Sequence, residues 1–252
     1  MPAKTLLFDI ETAPNLAYVW GKWEQNVIAY EEHWYIISFA YKWLGGRKVH
    51  SVSLPDFEDY AEDKHNDRYL CESLWRLFEQ ADIVVGHNSD NFDIKKSHAR
   101  FLQHQLPPHA PFQSIDTRKI ARRYFRFDSN KLDDLGEALG VGRKIKHEGF
   151  EALWLGCIKD DDPKAWEKMT AYNRQDVSLL EKVYNRMKPY MENHPNLGLY
   201  DNPQQLEVCP NCGSKNIHKA GTRVTRVNIQ QRWNCRNCGA WSKSPLAKGV
   251  IR

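Results

Sequence analysis

Apolar and acidic side chains alternate near the start of the chain, where residues 6–11 read Leu-Leu-Phe-Asp-Ile-Glu. A repeat of two residues is typical of a β-strand, and residues two apart on a strand project from the same face. The sequence therefore predicts a strand close to the N-terminus that presents Asp9 and Glu11 side by side.

Strands and then alternating strands and helices are predicted along the next 180 or so residues. Aromatic and β-branched runs predict strands, and apolar residues at steps of three and four predict helices. The predicted strands lie at residues 34–41, 48–54 and 83–85, and the predicted helices at 68–80, 94–106, 129–139 and 163–188. Asp162 and Pro163 suit the first positions of the last helix, and Pro189 suits its end. This order predicts an α/β domain over residues 1–190.

The C-terminal region differs from this domain in pattern and in charge. Residues 191–207 contain Pro, Gly and Asn breaks with little apolar periodicity, and we interpret them as a linker. Nine Lys or Arg but no acid follow Glu207, which predicts a basic module over residues 208–252. The other 27 basic residues stand against 32 acids, so residues 1–208 are net negative. This asymmetry predicts that the module meets a polyanion or serves solubility.

The composition is that of an ordinary globular protein. Of 252 residues, 41% are hydrophobic and 27% charged, which excludes a disordered or fibrous chain. We see no N-terminal leader and no apolar run of about 18 to 20 residues, and therefore expect a cytoplasmic protein without membrane contact. Walker-type loops, dinucleotide fingerprints and serine-hydrolase elbows do not occur, so NTP hydrolysis, hydride transfer and acyl transfer have no support.

Two Cys-x-x-Cys pairs lie in the basic module. They are Cys209 with Cys212 and Cys235 with Cys238, and 22 residues separate the pairs. Four thiolates at this spacing predict one closed, structural Zn²⁺ site of the zinc-ribbon type. Redox disulfides and an iron–sulfur centre are the alternatives for the same spacing.

Basic and aromatic residues are interleaved around these pairs. The segment 222–233 is predicted to form strands that carry Arg223, Arg226 and Arg232. Trp233 and Trp241 add aromatic surface among these charges. Because bases stack on rings and phosphates pair with Arg, this mixture favours binding of single-stranded nucleic acid.

Four acidic residues occur in settings that suit divalent cations. Asp9 and Glu11 share a strand face, and Asp93 follows the predicted strand 83–85 and a turn-rich segment. Asp176 lies on the long helix, where Tyr172 occupies the same face one turn earlier. Phosphodiester hydrolysis by two metal ions requires several carboxylates that converge on ions about 3.5 to 4 Å apart.

These residues belong to three short motifs: Phe-Asp-Ile-Glu-Thr at 8–12, His-Asn-Ser-Asp-Asn-Phe-Asp at 87–93, and Tyr172-x-x-x-Asp176. Together and in this order, they resemble the three exonuclease motifs of the DEDDy branch of DnaQ-like exonucleases, most closely in the proofreading domains of family B DNA polymerases. The resemblance covers about residues 4–188. It implies an RNase H-like fold, with a mixed sheet flanked by helices. It also implies a 3'-5' exonuclease that uses two Mg²⁺ or Mn²⁺ ions.

The resemblance further implies a role for each motif residue. Asp9 would bridge both cations. Glu11 and Asp176 would complete the site of the cation that holds the attacking water, and Asp93 would serve the second cation. Tyr172 would orient the water, although an aromatic residue here also suits the buried face of an amphipathic helix.

The expected substrate is the 3' end of single-stranded DNA, and RNA is left open. Two further residues would bind its terminal nucleotide. They are Thr12, which follows Glu11, and Asn88, which precedes Asp93. The alternative is that both side chains make only local hydrogen bonds in the strand and the turn.

Other charged residues near the motifs have more ordinary interpretations. Asp90 and Asp116 are extra candidate acids, although Asp116 is well placed to cap the helix that follows it. The acids at 160–162 precede a helix N-terminus, where the helix dipole favours them. Four basic residues would line a substrate path or form a solvated face. These are Lys131, Arg143, Lys144 and Lys146.

Three other functions remain open. The fold would serve as an inactive nucleic-acid-binding protein or scaffold that works through its ribbon, or as the proofreading subunit of a replication or repair complex. A RuvC-like endonuclease also joins an RNase H-like fold to a ribbon, but usually carries a catalytic acid beyond it, and here no acid follows Glu207. The presence of all four acids and Tyr172 favours the active exonuclease.

Overall fold

The computed structural model describes residues 2–23, 26–145, 149–201, 207–226, 228–243 and 248–249. The strands up to residue 116 are β1 (Thr5–Thr12), β2 (Leu16–Tyr18), β3 (Ala29–Glu32), β4 (Ile36–Trp43), β5 (His50–Ser53), β6 (Ile83–Gly86) and β7 (Gln113–Asp116). Five of them form one sheet in the order β5-β4-β1-β6-β7. In this sheet β4 runs antiparallel to β1 and β5, whereas β6 runs parallel to β1 and β7. The predicted mixed sheet is confirmed.

Helices cover both faces of this sheet. They are α1 (Arg68–Gln80), α2 (Asp93–Gln103), α3 (Thr117–Tyr124), α4 (Leu132–Ala138), α5 (Gly156–Ile158), α6 (Pro163–Met187) and α7 (Leu197–Asp201). Short 3-10 turns span Leu54–Asp56, Glu58–Ala61 and Lys188–Tyr190, and a π-helical turn spans Glu151–Leu155. An RNase H-like fold, with helices on both sides of a mixed sheet, is the architecture that the sequence predicted.

The alternation along β1 divides its side chains between two cores. Leu6, Phe8 and Ile10 are buried against α1 and α2. Leu7 is buried on the opposite face, with the C-terminal half of α6. Because strand residues of equal parity share a face, Asp9 projects with Leu7 toward α6.

The long helix begins and ends close to its predicted bounds. The carboxylate of Asp162 accepts a hydrogen bond from the Lys164 backbone N–H at 3.0 Å, and Pro163 occupies the first turn. Three predicted starts were too early. The strand predicted from residue 48 begins at His50 as β5, and the other two late starts have local causes. The Trp34 N–H is bound by the Asn15 side chain at 2.9 Å, so β4 begins only at Ile36. The helix predicted from residue 129 begins at Leu132, because the Ser129 hydroxyl accepts from the Lys131 N–H in a local turn.

The C-terminal region forms a small antiparallel sheet. It consists of β8 (Ile217–Val224), β9 (Asn228–Cys235), β10 (Trp241–Lys243) and β11 (Lys248–Gly249), with β9 paired to each of the others. Helix α7 lies within the segment interpreted as a linker, whose residues 202–206 lie outside the described part. In the described ranges, no helix has the length and apolar character to cross a membrane.

Candidate active site

Three carboxylates from distant parts of the chain meet beside β1. Ligand oxygens of Asp9, Glu11 and Asp176 lie within 4.8 Å of one another. Strand parity brings Asp9 and Glu11 to the α6 side of the sheet, and α6 crosses that side with Asp176 pointing inward. The sequence therefore assembles this cluster through the packing of one helix on one strand.

Asp93 approaches the same cluster from the turn after β6, the strand that runs parallel to β1. It is the first residue of α2 and is 4% exposed, and its carboxylate accepts a hydrogen bond from the Ile10 N–H at 3.1 Å. The turn between β6 and α2 is tight, because a Cβ on Gly86 would lie 2.4 Å from the Ser89 Cβ. Glycine at the end of β6 thus permits the close turn that delivers Asp93.

Asn173 fixes the orientation of Asp9, and the sequence analysis missed it. Its side-chain amide donates to the Asp9 carboxylate at 2.8 Å, and its carbonyl accepts from the Ser38 hydroxyl at 3.1 Å. Asn173 is fully buried and lies one helical turn before Asp176. Its position next to Tyr172, on the inward face of the helix, is the signal that would have identified it.

Lys144 places a positive charge in the middle of the acids. Its ammonium group donates to the Tyr172 hydroxyl at 3.1 Å and forms an ion pair with Asp176. The backbone N–H of Lys144 donates to Asp133 at 2.7 Å, which anchors the loop after α4. The sequence analysis placed Lys144 only in a general basic path, whereas the structure brings it into contact with the site itself.

All four acids of the cluster have raised pKa values. Burial, followed by the neighbouring carboxylates, raises the pKa of Asp9. Burial, followed by Asp176, raises the pKa of Glu11 to about 8. Burial raises the pKa of Asp93 to about 7, and it also raises that of Asp176 against the opposing effect of Lys144. The acids therefore bind cations or protons strongly, because each ionised carboxylate disfavours the others.

The donor set fits divalent cations such as Mg²⁺ or Mn²⁺. These ions prefer carboxylate oxygens, which the cluster supplies. The Asp176 Oδ1 atom is buried and has no hydrogen-bond partner among the described residues. A buried carboxylate oxygen without a donor calls for an explanation, and a bound cation provides one.

The two residues predicted to bind the terminal nucleotide lie beside motif acids in the chain, since Thr12 follows Glu11 and Asn88 lies in the turn before Asp93. Asn88 adopts a left-handed backbone with φ of 64°, and its side-chain oxygen accepts from Arg118 at 2.9 Å. Thr12 lies at the end of β1, next to a register shift in its pairing with β4. Asp116 caps α3 as expected, since it accepts from the backbone N–H groups of Arg118 and Lys119.

The proposed basic path is only partly assembled. Arg143 pairs with Asp133 at 2.8 Å and with Glu137 at 2.7 Å, so it is held on the surface by acids. Lys131 is the residue before α4 and is exposed. Lys146 lies outside the described residues.

The four predicted cysteine ligands form a second, separate cluster. The Cys209 and Cys238 sulfurs are 3.6 Å apart, and those of Cys212 and Cys235 are 3.7 Å apart. Tetrahedral Zn–S bonds of about 2.3 Å require sulfurs roughly 3.8 Å apart, so this geometry suits Zn²⁺. Each pair is followed by a glycine in the left-handed region, Gly213 and Gly239, which turns the chain around the site.

A third group of potential ligands has a structural explanation. The buried Asp67 carboxylate accepts from the Ile36 N–H at 2.8 Å and pairs with Arg100, and it also contacts His104. A guanidinium group already neutralises this carboxylate, so we interpret the network as a tie between α2 and the start of α1.

The RNase_H superfamily model matches residues 6–188, well over half of the chain. The chain therefore belongs to the RNase H superfamily. A comparison with curated proteins finds no match.

Among solved structures, the chain is similar to the family B DNA polymerase from the hyperthermophilic archaeon Pyrobaculum calidifontis. The TM-score is 0.56 at 16% sequence identity, and the match covers 79% of this chain and 26% of the polymerase. The chain thus spans about a quarter of the polymerase's length, and the likeness concerns the fold. Family membership and fold together support a nuclease.

Proposed function

We propose that this protein is a 3'-5' exonuclease that removes terminal nucleotides from single-stranded DNA with two Mg²⁺ or Mn²⁺ ions. One observation carries the proposal: ligand oxygens of Asp9, Glu11 and Asp176 lie within 4.8 Å of one another, and the Asp93 carboxylate accepts from the Ile10 N–H between the first two. The buried Oδ1 atom of Asp176 has no hydrogen-bond partner among the described residues. Membership of the RNase H superfamily supports a nuclease, and the resemblance to the DEDDy exonuclease motifs supplies the direction of cleavage.

Two cations would be held by Asp9, Glu11, Asp93 and Asp176. Such a pair supplies activation of the attacking water and stabilisation of the leaving oxygen. Asp9 would contact both ions, Glu11 and Asp176 the ion on the water side, and Asp93 the other. Asn173 would keep Asp9 in this orientation through its 2.8 Å hydrogen bond.

Tyr172 would position the attacking water rather than deprotonate it. Burial, followed by the charge of Asp176, raises the pKa of its phenol to about 12, so the hydroxyl stays protonated near neutral pH. Lys144 would hold this hydroxyl and Asp176 together, since its ammonium group contacts both. The Tyr172 hydroxyl and the Asp176 carboxylate would then hold the attacking water in one fixed orientation.

The basic module at 208–252, which we call the four-cysteine module, would raise affinity for nucleic acid, with Zn²⁺ as its structural ion. Its aromatic and basic side chains lie together: the Lys219 ammonium is 5.6 Å from the Trp233 ring centre, and Arg232 is 5.4 Å from that of Trp241. Trp241 is 57% exposed, which leaves a face for base stacking. A replication or repair assembly remains a proposed context.

The test uses a 5'-labelled single-stranded DNA oligonucleotide and its RNA equivalent, each incubated with the purified protein and Mg²⁺ or Mn²⁺. We expect a ladder of products that shortens from the 3' end. The strand that is degraded faster shows whether the enzyme prefers DNA or RNA. A 3'-labelled copy should release labelled mononucleotide at once. An Asp9→Asn variant and a reaction without added metal serve as controls, and both should leave the strand intact.

Two results would contradict the proposal. Internal fragments from a blocked 3' end would indicate an endonuclease. Intact strands that nonetheless shift on a native gel would favour a nucleic-acid-binding protein that lacks hydrolytic activity.

A further inference from the structure

Helix α3 and the residues after it form a strongly basic strip that the function proposed above does not use. Residues 117–126 contain five Lys or Arg and no acid, although residues 1–208 as a whole are net negative. Arg122, Arg123 and Arg126 are exposed. On the helix, Lys119 and Arg123 are four residues apart and therefore share one face. We call residues 118–126 the α3 strip.

One end of the α3 strip contacts the candidate active site. Arg118 donates to the side chain of Asn88 at 2.9 Å, and the Asn88 N–H donates to Asp116 at 2.9 Å. Asn88 is a proposed contact of the terminal nucleotide. A strand that leaves the site past Asn88 therefore meets Arg118 and then the rest of the strip.

A groove of about 250 Å³ runs beside the strip and is lined by Lys119 and Arg123. The two acids that line this groove already have partners within the protein. Asp90 pairs with Lys119 at 2.7 Å, and the buried Asp116 accepts from backbone N–H groups as the cap of α3. Arg123 makes no ion pair among the described residues, so its charge remains available to a ligand.

The other end of the α3 strip reaches the segment that leads to the four-cysteine module. The Tyr124 hydroxyl donates to Asn193 at 2.7 Å. His194 lines the groove beside the strip and also a second groove of about 740 Å³, which includes Arg232 and Trp241 of the module. The two grooves therefore share His194 as a lining residue, and the second contains Arg223, Arg232 and Lys243 together with Glu192 and Glu207.

We propose that the α3 strip binds the phosphate backbone of the nucleic-acid strand upstream of its 3' end and guides it from the active site to the four-cysteine module. The inference rests on the proposed exonuclease function, because that function places the 3' end beside Asn88. A basic groove that tracks the backbone, with aromatic side chains at intervals, is the general form of a single-strand site. The α3 helix is about 12 Å long, so a strand of a few nucleotides that starts at Asn88 spans it, whereas a single nucleotide in the active site does not.

The test measures binding of a fluorescein-labelled 20-nucleotide oligothymidylate by anisotropy at several salt concentrations. The full chain carries Asp9→Asn, so that the strand stays intact without a chelator. Arg122→Gln with Arg123→Gln is expected to raise Kd about tenfold and to reduce the slope of log K against log salt by about 1.4, since each phosphate contact contributes about 0.7. Binding of a labelled thymidine mononucleotide, which occupies only the site of the terminal nucleotide, should not change.

Two further variants separate a binding role from damage to the helix. Arg126→Gln lies beyond the end of α3 and should reduce the slope by about 0.7 alone. Arg47→Gln with Lys48→Gln removes two exposed charges at the β4–β5 turn and should leave Kd and slope unchanged.

A double α3 variant that binds the 20-mer like its parent would overturn the proposal, as would an equal loss of affinity for the mononucleotide. The proposed function is tested separately by the cleavage ladder of the unmodified protein. If no strand is shortened but the α3 variants still weaken binding of the 20-mer alone, the proposed exonuclease function is wrong. The proposal that the α3 strip binds the strand is then supported.

Discussion

The carboxylate cluster and the four-cysteine cluster are both candidate metal centres, but different parts of the molecule hold them in place. The acids come from β1, the start of α2 and α6, and they lie between two large hydrophobic cores. The cysteines come from two short turns and largely constitute the core of their own module. In its described part, the buried hydrophobic residues are Cys209, Cys235 and Ala240.

This difference implies opposite relations between metal and fold. We expect the domain of residues 1–190 to fold without cations, because two large hydrophobic cores offset the mutual repulsion of its acids. The described part of the four-cysteine module has a much smaller core, so we expect its folding to depend on a bound ion. Loss of a metal ligand should therefore reduce activity at the carboxylate cluster and unfold the module at the four-cysteine cluster.

The largest expected effect is the loss of the module's fold when its zinc site is broken. A structural Zn²⁺ contributes about 10 to 16 kcal/mol to such modules. We expect Cys209→Ser to remove bound zinc, measured by elemental analysis, and to expose the Lys and Arg residues of β8 and β9 to trypsin. The fragment that contains residues 1–190 should resist trypsin as before. Unfolding of that fragment together with the module would contradict the independence of the two regions.

The next effect concerns the acid site, where activity and stability should change in opposite directions. Asp9→Asn should reduce hydrolysis at least about 10³-fold, because both cations lose a shared ligand. The same variant should raise the Tm of the metal-free protein, since it removes an acid whose ionised form is disfavoured by burial and by the neighbouring carboxylates, while Asn173 keeps an acceptor. A fall in Tm equal to that of an ordinary core substitution would show that the acids support the fold.

Tyr172→Phe should have a smaller effect on the rate. It removes the hydroxyl that contacts Lys144 but keeps the buried ring, so we expect kcat to fall about 10- to 100-fold with little change in metal affinity. Steady-state kinetics and Mn²⁺ titration measure the two quantities. If kcat is unchanged, the residue acts only in packing.

The smallest effect is a pH dependence of metal stabilisation. The pKa of Glu11 is raised to about 8 and that of Asp93 to about 7. A raised carboxyl pKa means that the folded protein binds these protons more tightly than the unfolded chain. The resulting stability is present at low pH and is lost as pH rises toward 8.

Cations replace these protons, so Mg²⁺ should raise Tm by a few degrees more at about pH 8 than at about pH 5.5. Thermal melts with and without Mg²⁺ measure the difference, and Asp9→Asn should reduce it. An equal rise in Tm with Mg²⁺ at both pH values would contradict the assignment of the raised pKa values to the metal site.

Sequence reasoning was strongest where a residue's role depends on short spacing. The two Cys-x-x-Cys pairs, the parity of Asp9 and Glu11, and the Asp162-Pro163 helix start required no knowledge of tertiary structure. The mixed sheet was predicted in another way, because it is what the resemblance of the three motifs to DEDDy exonucleases implies.

It was weakest where loops set the geometry. Lys144 reaches Asp176 only because Asp133 binds its backbone N–H, a contact that no periodic pattern encodes. The α3 strip was hidden for another reason: charge was summed over residues 1–208, and the acids elsewhere concealed a local excess of basic residues. The Arg118 contact with Asn88 then depends on the left-handed turn at that asparagine.

The most direct measurement of the two-cation site is anomalous X-ray diffraction from crystals of the protein soaked in Mn²⁺. The account predicts two manganese peaks about 3.5 to 4 Å apart between Asp9, Glu11, Asp93 and Asp176, absent in Asp9→Asn crystals. Crystals that bind Mn²⁺ elsewhere but show no peak among these four carboxylates would contradict it.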